Sequence, residues 1–167
     1  MPTIELEWQA FQTLTAERLY QVLRFRQAIF VVEQSSPYPD LDGLDQNAQH
    51  LLLLSEGELA GYLRLLPTSC PRLIRIGRVA VAEHRRRGGL GRVLMREALR
   101  RCRGDYPYCD IALGAQTHLI PFYASFGFAV SSEPYDDFGV QHVERRAERA
   151  DRALRTERHK HIESRSV

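Results

Sequence analysis

At 167 residues and 44% hydrophobic content, the chain has the length for one compact domain with a sizeable core and little more. Its 23 Lys and Arg against 21 Asp and Glu leave a net charge of +2, too small for the global field a nucleic-acid binder presents, and no run of about 18 apolar residues offers a membrane span. The opening Met1-Pro2-Thr3-Ile4-Glu5 has no basic leader, so the reading is a cytoplasmic monomer or homodimer without nucleic-acid or membrane partners. Three cysteines, Cys70, Cys102 and Cys109, are odd in number and lack metal-pair spacing, which excludes a disulfide framework and a zinc site.

Strand and helix signals alternate along the chain. Residues 4–8 alternate in polarity as a short strand, and Thr15 is placed to cap a helix. In that helix Leu19, Val22, Leu23, Arg26 and Phe30 recur at helical spacing, and it ends near Val31 and Val32. A Pro/Asp/Gly loop fills residues 35–45. Read as a calcium loop from Asp40, it puts Asp45 where a glycine is needed and Leu51 where a bidentate Glu is needed, so that reading fails. Its aspartates are left for Asx turns or for drawing in a cationic amine. Residues 50–54 form the next strand, Glu56-Gly57 a tight turn and residues 61–66 the hairpin partner. Beyond Pro67 and Pro71, Leu73–Val81 is a β-branched strand, and Leu90, Val93, Leu94, Ala98 and Leu99 mark the apolar face of a second long helix. A buried strand at 111–115, a helix across 119–126 and a strand at 127–130 complete the order β-α-β-β-β-loop-α-β-α-β.

The most informative segment joins the fourth strand to the second long helix. Here Arg85-Arg86-Arg87-Gly88-Gly89-Leu90-Gly91-Arg92 places three glycines and four arginines at a helix N-terminus. Glycines let the backbone approach a ligand, the helix start aims unpaired N–H groups at it, and arginines add charge, so the segment is built to hold phosphate. It is not a Walker loop, because Gly91-Arg92-Val93 lacks the lysine and the metal-binding hydroxyl, and Leu94 stands where a dinucleotide fingerprint needs a small residue.

The run Arg86-Arg87-Gly88-Gly89-Leu90-Gly91 is similar to the Gln/Arg-x-x-Gly-x-Gly/Ala pyrophosphate motif of the GNAT superfamily of N-acetyltransferases. Pro121-Phe122-Tyr123-Ala124-Ser125-Phe126-Gly127-Phe128 resembles the signature in which a tyrosine precedes a Phe-Gly-Phe turn. Four further pieces resemble the ElaA-like subgroup: Phe30-Val31-Val32-Glu33-Gln34, Pro37-Tyr38 with Asp40-Leu41-Asp42-Gly43, Leu113-Gly114-Ala115-Gln116 with His118-Leu119, and Gly139-Val140-Gln141-His142. The resemblance implies the α/β acyl-CoA N-acyltransferase fold, a mixed and mostly antiparallel sheet with a splay between the fourth and fifth strands. It implies acetyl-CoA as co-substrate, no metal, and transfer to a primary amine, small or peptidyl, by direct attack in a ternary complex. A CoA-binding sensor that keeps the fold without turnover is the alternative. The C-terminal end departs from the family pattern: Val143-Glu144-Arg145-Arg146 lacks an alternating apolar strand, while Val143, Ala147, Ala150 and Leu154 recur at helical spacing. The domain is therefore bounded at residues 1–146, and 147–167 reads as a solvated helix or disordered tail.

Transfer from a thioester to an amine requires a base for the amine, donors for the carbonyl oxygen and an acid for the departing thiolate. At the matching positions Tyr123 is the acid, rotated off the face that Phe122 and Phe126 share. The backbone of Val79, Ala80 and Val81 serves the oxyanion and pantetheine arm, beside a strand that ends at Gln116. The N–H groups of Arg87, Gly88, Gly89, Leu90, Gly91 and Arg92 hold the pyrophosphate, with Arg85, Arg86 or Arg87 reaching toward the 3′-phosphate. For the base, the residues offer Glu33 and His50, with His118 and His142 behind them.

Overall fold

One eight-stranded sheet organises residues 2–147, which are those the computed structural model describes. Strands β1 (Ile4–Ala10), β2 (Gln49–Ser55), β3 (Glu58–Pro67) and β4 (Leu73–Val81) form an antiparallel meander. The β2–β3 turn is closed by Glu56 and Gly57 at φ 54° and 81°, the doubly left-handed geometry whose twist suits a two-residue hairpin. Strand β5 (Asp110–Gln116) lies parallel to β4, and β8 (Val140–Ala147) is antiparallel to β5. The short β6 (Ala129–Val130) and β7 (Tyr135–Asp137) pair with β8.

Two helices cover the sheet, one on each face, and residue parity decides which strand residues each receives. Helix α2 (Leu90–Asp105) lays Leu94, Met95, Ala98, Leu99 and Cys102 on Leu51, Leu53, Leu63, Leu65, Ile74, Ile76, Leu113 and Ala115. Burial pushes the Cys102 thiol up to about 12, so it packs as a small apolar group. Helix α1 (Ala16–Gln27) takes the opposite face, where Val22 meets Leu52 and Tyr62. Thr15 caps it as the spacing predicts, its Oγ1 accepting the Arg18 N–H at 3.1 Å. Helix α3 (Ile120–Ala124) closes the far end of β5.

On the α1 face the core carries charge. Arg26, which falls within the helix's apolar stripe, is fully buried and donates to Asp40 Oδ2 at 2.9 Å and Asp45 Oδ1 at 2.8 Å. Arg64, also buried, donates to Asp45 Oδ1 at 2.6 Å and to both oxygens of Asp42. Arg78 reaches Asp40 Oδ1 at 2.8 Å and Asp42 Oδ2 at 3.2 Å. Three arginines and three aspartates thus pair, and they tie residues 40–45 to α1, β3 and β4. The arginine hydrogen bonds hold the Asp42 carboxyl down at about 2, against the desolvation that would raise it, and lower that of Asp45. The loop's aspartates are therefore neutralised internally and are not a lure for a cationic amine. The Asx turn is present, the Leu44 N–H donating to Asp42 Oδ1 at 3.1 Å.

Two regions differ from the sequence expectation. Helix α1 widens at its end into a π-helical turn, Ala28–Glu33, which brings Ile29, Phe30 and Glu33 round to one cleft instead of keeping Phe30 on the helix stripe. Residues 143–146, which lack an alternating apolar pattern in sequence, and Ala147, assigned to the tail, belong to β8, whose backbone pairs with β5 from Ile111 to Gln116 and whose buried positions, Val143 and Arg145, alternate with period two. Ala147 ends that strand, and the rest of the expected tail lies outside the described residues.

Arg26→Ala takes one of two arginine partners from each of two buried carboxylates, Asp40 and Asp45, and is expected to cost about 3 kcal/mol in a denaturant titration. Asp42 and Asp45 have folded pKa values below their unfolded ones, so their contribution is complete above about pH 4 and falls as pH drops toward 2. Unfolding free energy measured against pH should decline across that window, and less steeply in Asp42→Asn.

Candidate active site

Strands β4 and β5 pair only at Leu73, Ile74 and Arg75 against Asp110, Ile111 and Ala112. Beyond that both continue but no longer touch, and a cleft of about 930 Å³ opens between them. Strand β4 is bulged against β3: Tyr62 pairs with Ala80 and Arg64 with Gly77, so Arg78 and Val79 together oppose Leu63. Arg78 sits at φ 55°, a left-handed conformation that costs a non-glycine residue energy. Such a bulge interrupts the β3–β4 ladder, and Arg78 and Val79 both line the opening.

Below the bulge the chain enters the phosphate loop. Gly89 takes φ 82° as the N-cap of α2, and Arg87 takes φ 64° before it. The Arg92 and Val93 N–H groups donate back to the Gly89 carbonyl at 3.0 and 3.2 Å, so Arg92 contributes a side chain to this end and not the amide expected of it. The amides from Gly88 to Gly91 have no backbone acceptor among the described residues and stand at the start of a 16-residue helix. Gly91 packs so closely that an added Cβ would lie 3.4 Å from Phe122 Cζ. Val79, Ala80, Val81, Arg86, Arg87, Gly89, Leu90, Gly91, Arg92 and Gln116 all line the cleft; Gly88 does not. Arg86 is spoken for: its Nε donates to the Val81 carbonyl at 3.0 Å, and its Nη atoms grip Glu33 at 2.5 and 2.9 Å. Of the three consecutive arginines, Arg85 lies 3.8 Å from Glu56, and Arg87 has no ion pair or hydrogen bond among the described residues. Arg87 thus lines the cleft with its guanidinium uncommitted among the described residues.

Tyr123 lines the same cleft from α3, 5% exposed, with Phe122 edge-on at 5.0 Å. Burial pushes its hydroxyl up to about 12, so it carries its proton throughout the neutral range. The candidate bases are sorted by the geometry. Glu33 lines the cleft, but its carboxylate is committed to Arg86. His50 lies outside the cleft and is buried; Nε2 faces the Asp45 carbonyl at 2.9 Å and Nδ1 the Tyr62 hydroxyl at 2.7 Å. A carbonyl only accepts, so Nε2 carries the hydrogen and Nδ1 accepts from Tyr62. Burial lowers the His50 pKa, and the ring is a neutral strut of the core. His118 and His142 do line the cleft. The Nδ1–H of His142 donates to the Val140 carbonyl at 2.9 Å, which leaves Nε2 with its lone pair.

Several wall residues carry no local sequence signal. Arg75 donates to Glu144 Oε1 at 3.0 Å, Tyr135 donates to the same oxygen at 3.0 Å, and Gly114 leaves the space they need, since a Cβ there would stand 3.2 Å from the Tyr135 hydroxyl. Tyr38 lies under the Arg78 guanidinium at 4.9 Å and edge-on to Phe138. Among the described residues no group of three side chains is arranged to hold a metal ion, and no helix is long and apolar enough to cross a membrane.

Known proteins resemble this chain in sequence and fold. A family model described as an acetyltransferase (GNAT) domain matches residues 12–148. The ElaA protein of Escherichia coli is 39% identical over 143 residues, covering 83% of this chain and 94% of that one. A UPF0039 protein of Synechocystis is 37% identical over 142 residues, 84% of this chain and 92% of its own. The crystal structure of Escherichia coli ElaA superposes with a TM-score of 0.83 at 38% identity, over 87% of this chain and 100% of that one. An acyl-CoA N-acyltransferase from Pseudomonas aeruginosa superposes with a TM-score of 0.81 at 34% identity, over 87% and 99%.

Gly89→Glu places a carboxylate and a side chain at the N-cap of α2, where the unpaired amides converge. Calorimetric titration with acetyl-CoA should show affinity weakened at least about 10- to 100-fold, the scale of lost charge-assisted hydrogen bonds, in a protein that still folds. Unaltered affinity would remove the loop from the binding site.

Proposed function

The chain belongs to the GNAT acetyltransferase family and is an acyl-CoA-dependent N-acyltransferase, and from that premise we propose that it transfers an acetyl group from acetyl-CoA to a primary amine by direct attack in a ternary complex. One observation carries the reading: unpaired amides at the start of α2, the β4 bulge and the Tyr123 hydroxyl all border one cleft. The residues fit a CoA thioester. The amides of Gly89, Leu90 and Gly91, with Arg87 and Arg92, supply donors and charge for a pyrophosphate. The splayed edges of β4 and β5 offer strand backbone to an amide-bearing arm, as a missing strand would. Bound there, acetyl-CoA supplies the activated acetyl group.

The chain's own groups divide the remaining work. Interrupted backbone at Arg78–Val79 provides an N–H donor for the carbonyl oxygen as it gains charge, fixed in advance by the ion pairs of Arg78. Tyr123 gives its proton to the sulfur as the carbon–sulfur bond breaks. A phenol held at about 12 is a weaker acid than a thiol of about 8.5, so this transfer is uphill on its own and is completed as the second proton lost by the amine restores the phenol. Aromatic neighbours Phe122 and Phe128 hold the tyrosine ring edge-on and keep the hydroxyl from wandering.

The test is release of free thiol from acetyl-CoA, followed against a panel of primary amines with the product confirmed by mass. Turnover requires both substrates, and its absence with every amine would leave a CoA-binding protein without transfer. In an active pair, Tyr123→Phe is expected to lower kcat by about ten- to ten-thousand-fold, the range for loss of a general acid, with acetyl-CoA affinity unchanged. Wild-type kcat in that variant would reduce Tyr123 to packing.

A further inference from the structure

Charge is distributed unevenly round the cleft. Two arginines at the start of α2 lack carboxylate partners: Arg87 has none among the described residues, and Arg92 meets only the Ser125 hydroxyl at 3.2 Å and the faces of Phe122 and Phe126. The other cleft-lining arginines are paired. Arg64 is held by Asp42 and Asp45, Arg78 by Asp40 and Asp42, Arg75 by Glu144, and Arg86 by Glu33. Those pairs also consume Asp42 and Glu33. One lining carboxylate is different. Asp137, at the end of β7, has no arginine or lysine within ion-pair distance among the described residues, and its Oδ2 lies 4.0 Å from His142 Nδ1.

Asp137 stands among aromatic side chains. Tyr135 stacks on the His142 ring with 26° between planes, Val140 pairs with Asp137 on β8, and Tyr38 lines the same cleft. Such a pocket has one uncompensated negative charge and no uncompensated positive one. We propose that the acceptor is a primary alkyl- or aralkylamine with no carboxylate beside its amino group, its ammonium seated at Asp137 and its body laid against Tyr38 and Tyr135. The inference rests on the acyltransferase reading of the cleft and deepens it to a substrate class. An α-amino acid would bring its carboxylate up to Asp137 with no arginine left to receive it, setting two like charges against each other. An amine without that group matches the wall in sign, and cation–π contact with the tyrosine rings adds to the match.

The same placement puts the proton where it has somewhere to go. With Nδ1–H donating to the Val140 carbonyl, His142 Nε2 is the lone pair available to take the first ammonium proton. The freed nitrogen forms the new bond to the acetyl carbon while the carbon–sulfur bond breaks, and Tyr123 protonates the sulfur. The second nitrogen proton replaces the one Tyr123 gave up, and His142 returns the first to solvent. The sum is one ammonium and one thioester converted to one amide, one thiol and one released proton.

The experiment uses the full chain saturated with CoA, titrated calorimetrically with phenethylamine and, separately, with L-phenylalanine, which differ by one carboxylate. Phenethylamine is expected to bind at least about tenfold more tightly, and Asp137→Asn to weaken it by about tenfold while leaving CoA affinity as in the wild type, the scale of one hydrogen bond to a charged group. Equal or tighter binding of phenylalanine overturns the proposal without any variant being made. So does an Asp137→Asn protein that binds CoA and phenethylamine like the wild type, or a CoA-saturated protein that binds neither amine. Failure of the wild type to bind CoA at all is a different result: it removes the acyltransferase reading itself.

Discussion

Three residue pairs hold β4 to β5, and past Arg75 and Ala112 the two strands part. Parallel neighbours ordinarily zip along their whole length because unpaired backbone is costly, so the divergence must be held open by what flanks it. On one side β5 follows β8, to which it is bonded from Ile111 to Gln116. On the other, β4 follows β3 through a bulge that displaces Arg78 and Val79. Between them the cluster of Arg75, Glu144 and Tyr135 fills the space above Gly114. The cleft, the strand edges offered to a CoA arm, and the meeting of α2's start with Tyr123 all follow from this separation.

The ion pairs of the α1 face belong to the same construction. Burying Arg26 and Arg64 with their aspartates gains little net stability, because desolvation offsets much of the Coulomb attraction. What the network does is fix positions. Arg78 is held at a left-handed φ by Asp40 and Asp42, and the loop that carries those aspartates is pinned across the cleft by the Ser36 hydroxyl donating to the Phe138 carbonyl at 3.2 Å. The bulge, the acceptor wall and helix α1 are thereby locked to one another. With the arginines of that wall neutralised, Asp137 sets its sign, while Arg87 and Arg92 keep the cofactor wall positive.

The phosphate loop was legible because its chemistry is local: glycines, arginines and a helix start lie within a few residues of one another, and β4 runs from Leu73 to Val81 as the β-branched pattern implies. Arg26 in an apolar helical stripe was also a visible signal of a buried charge. Its partners were not legible, since Asp40 and Asp45 reach it only through the fold. His50 and His142 look alike in sequence. Only packing sets one between Tyr62 and Asp45 and leaves the other in the cleft. Strand β8 was not recognised as a strand because its inward residues, Val143 and Arg145, include a buried arginine that hides the period-two pattern. The three residues of β7 are too few to show any period, so Asp137 passed without notice.

The central claim is that the splay between β4 and β5 and the start of α2 form one continuous CoA-binding surface. Amide chemical-shift mapping on the isotope-labelled chain, titrated with acetyl-CoA, tests it most directly. The account predicts that the largest changes fall on Val79 and Val81, on the amides from Gly88 to Gly91, and on Ala115 and Gln116, saturating together at one affinity. Changes concentrated on β1 and β2, with the amides from Gly88 to Gly91 unmoved, would contradict it.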